Sequence, residues 1–200
     1  MKKCFAIIAL TGILQLANAQ EQLPREEALK LAFAAGLDLA QLQGTPIPTD
    51  VDLKKPIALR EGEYGGLFLP EAKLNAQTIA NAGEKVVPIG QLWLHRLTPV
   101  QNSQPVYSEK LRMAKVYLEG GEVRVPQCTL GVRKTSAGKL EMLVFGKTAE
   151  PVATFPVTSV ETQSKESITM EAERDYSGGT ATVVLFGKYK AQLAFTELEY

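Results

Sequence analysis

The chain has 200 residues, with 22 Lys and Arg against 22 Asp and Glu, one His, two Cys and one Trp. Charges are scattered singly and balance to zero, so there is no basic footprint for nucleic acid or an anionic membrane. So few His and Cys residues argue against a zinc-type cluster, and no cofactor motif appears.

Residues 1–19 read as a cleavable export signal. Lys2 and Lys3 form a short basic start, and Phe5 to Leu16 is almost wholly apolar. That run is too short for a bilayer, which needs about 20 residues. Ala17 and Ala19 stand three and one before a cut that leaves Gln20 first. Cys4 precedes the apolar run and is badly placed for lipid attachment. Cleavage leaves 181 residues (200 − 19), room for one domain with a sizeable core. The expected location is the periplasm or the exterior, with no transmembrane segment after the signal is removed. Cys128 is then the sole cysteine, which rules out an internal disulfide; its alternation with Leu130 and Val132 reads as a buried thiol.

Gln20 to Gln43 is the one long helical stretch. Pro24 suits a first turn, and Glu26 and Glu27 sit well at the positive end of the helix dipole. Leu29, Ala32, Phe33, Leu37 and Ala40 recur at helical spacing and predict the face docked on the rest of the chain. Gly36 weakens the interior, which leaves two readings: one helix through it, or a first short helix that ends there with Asp38 opening a second. Pro46, Pro48 and Pro56 make 44–56 an extended connector, so residues 20–56 form an arm on a β domain over 57–200.

Short strands follow at Ile57–Arg60 and Gly66–Leu69, then a short helix over Asn75–Ala82 capped by Asn75 and stopped by Gly83. Lys85–Leu94 is strand-like, interrupted by Pro88 and Gly90. Thr98–Pro105 reads as a polar loop. From Leu111 the β signal is nearly continuous. Gly120-Gly121 predicts a hairpin, and a change of apolar phase between Val125 and Cys128 predicts a bulge near Pro126-Gln127, with Pro126 marking an edge. Pro151 and Pro156 predict an irregular or edge strand. Ile168, Met170 and Ala172 alternate with polar residues, as in a half-exposed strand. Asp175–Gly179 is the next turn. The last hairpin, Thr180–Phe195, turns at Gly187-Lys188, with glycine placed for a type II′ turn. The Phe-Gly-Lys run at 145–147 echoes the one at 186–188 over too few residues for a repeat. The expected fold is mainly β: an antiparallel sandwich or partly closed barrel of about nine or ten strands with an N-terminal helix and one short internal helix.

No stretch carries a catalytic motif, and no catalytic or metal-ligating residue is assigned. His95 lacks a G-x-S-x-G partner run. Glu61/Glu63 and Glu171/Glu173 are i, i+2 carboxylate pairs that share a face only if they lie on strands. Trp93 has two readings: a core residue, or a platform that stacks on a sugar, with Gln91, His95 and Arg96 as polar neighbours. The expectation is an exported non-catalytic β domain that binds or supports an envelope component, either a protein or a glycan. The alternatives are a carbohydrate-binding module centred on Trp93 and a small hydrolase using His95 or an acidic pair; an outer-membrane barrel is disfavoured by Pro88, Pro126, Pro151 and Pro156. Composition does not fix the oligomeric state.

Overall fold

A computed structural model describes residues 18–19, 21–118, 120–164, 166–175 and 178–199. Most of the predicted export signal lies outside the described residues, as do Tyr176 and Ser177 of the predicted 175–179 turn.

The chain runs β1 (Asn18–Ala19), β2 (Glu21–Gln22), α1 (Arg25–Gly36), α2 (Leu39–Gln43), β3 (Ile57–Glu61), β4 (Tyr64–Pro70), α3 (Ala76–Ala80) and β5 (Val87–His95). It continues through β6 (Leu97–Gln101), β7 (Gln104–Pro105), β8 (Arg112–Leu118), β9 (Gly121–Lys134), β10 (Leu140–Phe145), β11 (Pro151–Ser159), β12 (Ile168–Asp175), β13 (Gly178–Leu185) and β14 (Tyr189–Glu197). The main sheet is antiparallel in the order β12-β13-β14-β11-β10-β9-β5-β4-β3, with β8 beside β9, ten strands curled into a nearly closed barrel. The two ends of this order come together. β2 pairs with Leu59 and Arg60 of β3 on one side of the seam, and β1, the last two residues of the predicted export signal, pairs with Glu173 and Arg174 of β12 on the other. Across it, the Arg174 guanidinium lies 3.6 Å from the centroid of the Tyr64 ring.

Two features bend the sheet into this shape. β11 pairs with β10 up to Pro156 and with β14 from Val157, so the strand turns a corner where proline has no N–H to give. β5 passes into β6 through Arg96, whose φ of 57° redirects the chain onto β14. The predicted polar loop at 98–105 is therefore the β6–β7 hairpin. It closes on Asn102 and Ser103, both at positive φ, and the buried Thr98 hydroxyl donates to Val106 O at 2.6 Å.

Two apolar cores lie on opposite faces of β5 and β9. The inner core fills the barrel with Phe68, Ile89, Leu92, Cys128, Leu130, Met142, Val183 and Leu193 among others. The outer core lies under the arm, where Leu23, Ala28, Ala32, Ala35 and Leu42 meet Leu67, Leu69, Trp93, Val116 and Val125. This corrects the bulge predicted at Pro126-Gln127. β9 keeps an unbroken register with β8 from Gly121 to Gln127, and its apolar phase changes because both of its faces are covered. Its outer face is apolar at Val123 and Val125, and its inner face at Cys128, Leu130 and Val132.

The arm is two helices, the second of the two readings at Gly36. α1 ends at Gly36, and Asp38 caps α2 by accepting from Gln41 N at 3.2 Å. Asn75 likewise caps α3 by accepting from Thr78 N at 3.0 Å. The docked face of α1 differs from the predicted one. Ala28, Ala32, Ala34 and Ala35 are buried, while Phe33 and Leu37 are 69% and 57% exposed and Ala40 is exposed. The buried stripe of the helix is mostly alanine and seats on Ala58, Leu67, Ala114 and Val116, with Leu31 packed at its edge. The final turn is also corrected: Lys188 N donates to Leu185 O at 3.0 Å around Phe186 and Gly187. Both of those have positive φ, as a type I′ turn requires.

Candidate functional site

The predicted Trp93 platform does not form as a surface. The Trp93 side chain is 4% exposed, and its Nε1 is buried with no partner among the described residues. Gln91 is fully buried on the same strand face. Both belong to the contact between sheet and arm. The Gln91 Nε2 group donates to Leu42 O and to Thr49 Oγ1, each at 2.7 Å, and its Oε1 accepts from Gln127 Nε2 at 2.8 Å. Gln127 Nε2 also donates to Gln41 O at 3.1 Å, and Arg112 donates to Gln41 O and to the Gln127 side-chain oxygen. Burial lowers the Arg112 pKa, partly opposed by Asp38. This is a satisfied polar network that fastens the arm; such a network specifies one docking geometry because any other leaves buried groups unpaired.

His95 and Arg96 stand at the other end of β5. His95 is half-buried, and its pKa is lowered by burial and by the neighbouring Arg96 charge, with Glu63 opposing. The Arg96 guanidinium is paired with the exposed Glu63 carboxylate. The structure thus divides the four predicted ligand residues: Gln91 and Trp93 lie under the arm, and His95 and Arg96 lie at the strand end.

The acidic pairs separate in the same way. Glu61 pairs with Tyr64, so Glu61 and Glu63 flank Gly62 in a tight turn and do not share a strand face. One Glu61 carboxylate oxygen is buried with no partner among the described residues. Glu171 and Glu173 do share the outward face of β12, and both are exposed. Among the described residues, no group of three His, Cys, Asp or Glu side chains converges to hold a metal ion. Cys128 is wholly buried, and burial pushes its thiol pKa up to about 12, the behaviour of an inert core thiol.

A wide concavity lies elsewhere. A cleft of about 990 Å³ opens at the end of the barrel between the β6–β7 hairpin, the start of β13 and the end of β14. Tyr107, 63% exposed, lies in its wall next to Ser108 and Glu109, and Glu173, Arg174 and Glu197 also line it. Its walls are mixed, with Val100 and Phe195 beside hydroxyls and carboxylates. These residues come from four separate stretches of chain with no common spacing. The only sequence sign was the unassigned aromatic Tyr107 after a proline-bearing polar segment.

The fold defines a nearly closed antiparallel β barrel with a helical arm across one outer face. Comparison with protein-family models, with curated proteins and with solved structures finds no match. No helix among the described residues is long and apolar enough to cross a membrane.

Proposed function

We propose that this chain is an exported, non-catalytic β domain that binds a component of the cell envelope through the cleft beside Tyr107. The observation that carries this reading is the cleft itself: a wide concavity with an exposed aromatic ring, hydroxyls and carboxylates in one wall system. Binding sites combine such concavity with a few polar groups that fix orientation. The carboxylates Glu109, Glu173 and Glu197 against the single Arg174 favour a neutral or cationic ligand over an anionic one.

A glycan is the more specific form of this proposal. An exposed tyrosine face beside hydroxyls and carboxylates suits the apolar face and the hydroxyl rim of a sugar ring. In this form Tyr107 takes the role that the sequence suggested for Trp93. The hydrolase alternative loses its Glu61/Glu63 geometry, because the two carboxylates flank a turn.

The test is retention of the purified protein on insoluble envelope polysaccharide and on immobilised envelope protein, with wild type beside Tyr107→Ala. Retention by either material that falls at least tenfold in Tyr107→Ala is expected. No retention of wild type by either, or equal retention of both proteins, overturns the assignment of this cleft.

A further inference from the structure

Gly66 leaves a gap in the inward face of β4. Tyr64, Gly66 and Phe68 alternate on that face, and Tyr64 and Phe68 both pack in the inner core. Gly66 pairs with Leu59 of β3 and Leu94 of β5 in unbroken register, so no bulge calls for a glycine here. Its φ is not positive. Close packing does not require it either, since a Cβ at Gly66 would meet nothing nearer than 3.9 Å. Glycine inside a strand weakens it, and one recurring reason for it is a ligand that approaches closely.

The gap is a cavity of about 30 Å³ whose lining includes Leu59, Leu92, Leu94, Met170 and Ala172. Room for one water is about 10–15 Å³, so this space holds a group of one or two carbons and excludes a ring. Arg174, Gly179, Thr180 and Phe195 line both this cavity and the wide cleft, which makes the cavity a side pocket of the cleft wall. Gly66, Arg174 and Gly179 are only half-buried, so the pocket is open. At 3.6 Å over the Tyr64 ring the Arg174 guanidinium is stacked flat, and its N–H groups are left to donate in their own plane.

We propose that the cleft takes an N-acetylated amino-sugar glycan, with one acetamido methyl seated in the pocket at Gly66 and its carbonyl oxygen accepting from Arg174. This rests on the glycan reading of the cleft. The acetamido group fits because it joins one methyl to a hydrogen-bond acceptor and carries no charge. A plain sugar hydroxyl in the same place would enter apolar surroundings without a partner, which costs binding. A carboxylate-bearing sugar would meet Glu109, Glu173 and Glu197 and is disfavoured.

Calorimetric titration of the purified protein with three tetrasaccharides tests this: chitin tetrasaccharide, its N-butanoyl analogue and cellotetraose. Chitin tetrasaccharide is expected to bind at least tenfold tighter than cellotetraose, the scale of discrimination that one small group in an apolar pocket provides. The N-butanoyl analogue, too long for the pocket, loses that advantage and tests the pocket without altering the protein. Gly66→Ala puts a methyl of its own into the space, keeps at least the thermal midpoint of wild type, and also loses the advantage. Equal binding of chitin tetrasaccharide and cellotetraose, abolished for both by Tyr107→Ala, overturns the acetamido assignment and leaves the cleft reading standing. A tenfold preference that survives both Gly66→Ala and the butanoyl group overturns the placement in this pocket. No binding of any of the three overturns this inference together with the glycan form of the cleft.

Discussion

Replacing Gln91 by leucine tests what fastens the arm to the barrel. The substitution keeps the approximate volume but deletes two donated bonds, to Leu42 O and Thr49 Oγ1, and one accepted from Gln127. Thr49 is half-buried and regains water, whereas the Leu42 carbonyl sits beneath the arm and the Gln127 amide is 1% exposed. Each lost bond is worth about 1 kcal/mol net, and an orphaned buried acceptor costs about 1–3 kcal/mol. Leucine's easier desolvation offsets part of this, which leaves a loss of about 2–4 kcal/mol. With a urea m-value of about 2 kcal/mol/M, the unfolding midpoint falls by about 1–2 M. Trp93 fluorescence is the natural probe, since the ring lies in the same interface. The arm is expected to loosen first, with emission moving to the red before the barrel melts. Gln91→Leu combined with Gln127→Leu should show a coupling of at least about 1 kcal/mol, as expected for residues in one network. A Gln91→Leu protein within about 0.5 kcal/mol of wild type would refute the idea that hydrogen bonds, more than the alanine contacts, hold the arm.

Gly90→Ala should destabilise by about 3 kcal/mol or more in the same urea assay. An added Cβ would lie 2.3 Å from Leu69 O and 2.7 Å from a Phe68 ring carbon, at a residue whose φ is 151°. For His95, the folded pKa is below the ordinary value of 6.5, so the unfolded chain binds the extra proton first. Thermal stability should therefore fall as pH drops from above 6.5 towards the folded pKa, and His95→Gln should flatten that slope. Cys128 should resist an aromatic disulfide reagent at pH 8 in the native protein and react stoichiometrically once urea unfolds it, since its pKa is about 12 and it is wholly buried.

Local chemistry was readable from the sequence wherever one residue decides an outcome. Gly36 and Asp38 break the arm, Asn75 caps α3, and Ile168, Met170 and Ala172 face inward along β12. Features that depend on a second surface are not readable in this way. Periodicity weighs apolarity and so counts Phe33 and Leu37 in the docked face, whereas the helix seats on the sheet through Ala28, Ala32 and Ala35. Trp93 itself was ambiguous because nothing in residues 87–95 reveals that the arm returns to cover that face of β5. The apolar phase change in β9 looked like a bulge for the same reason. The type I′ turn is hidden in the sequence because it puts Phe186, a poor residue for positive φ, where glycine or asparagine is usual. The cleft was invisible because Tyr107, Arg174 and Glu197 meet only after β6 has crossed onto β14.

β9 is flanked by β8 and β10 along one edge and β5 along the other, and it has a core against each face. This has a consequence for the order of assembly. The arm is made first by the ribosome, yet its resting place on β8 and β9 exists only after Lys134 has been made. Until then its alanine stripe has only the part of its seat on β3, β4 and β5, with Leu67, Leu69 and Trp93, and lacks Val116 and Val125. The arm must wait for strands far along the chain, and closing those distant contacts is a slow step in β proteins. A nascent chain stalled before β9 should be a far better chaperone client than one stalled after it.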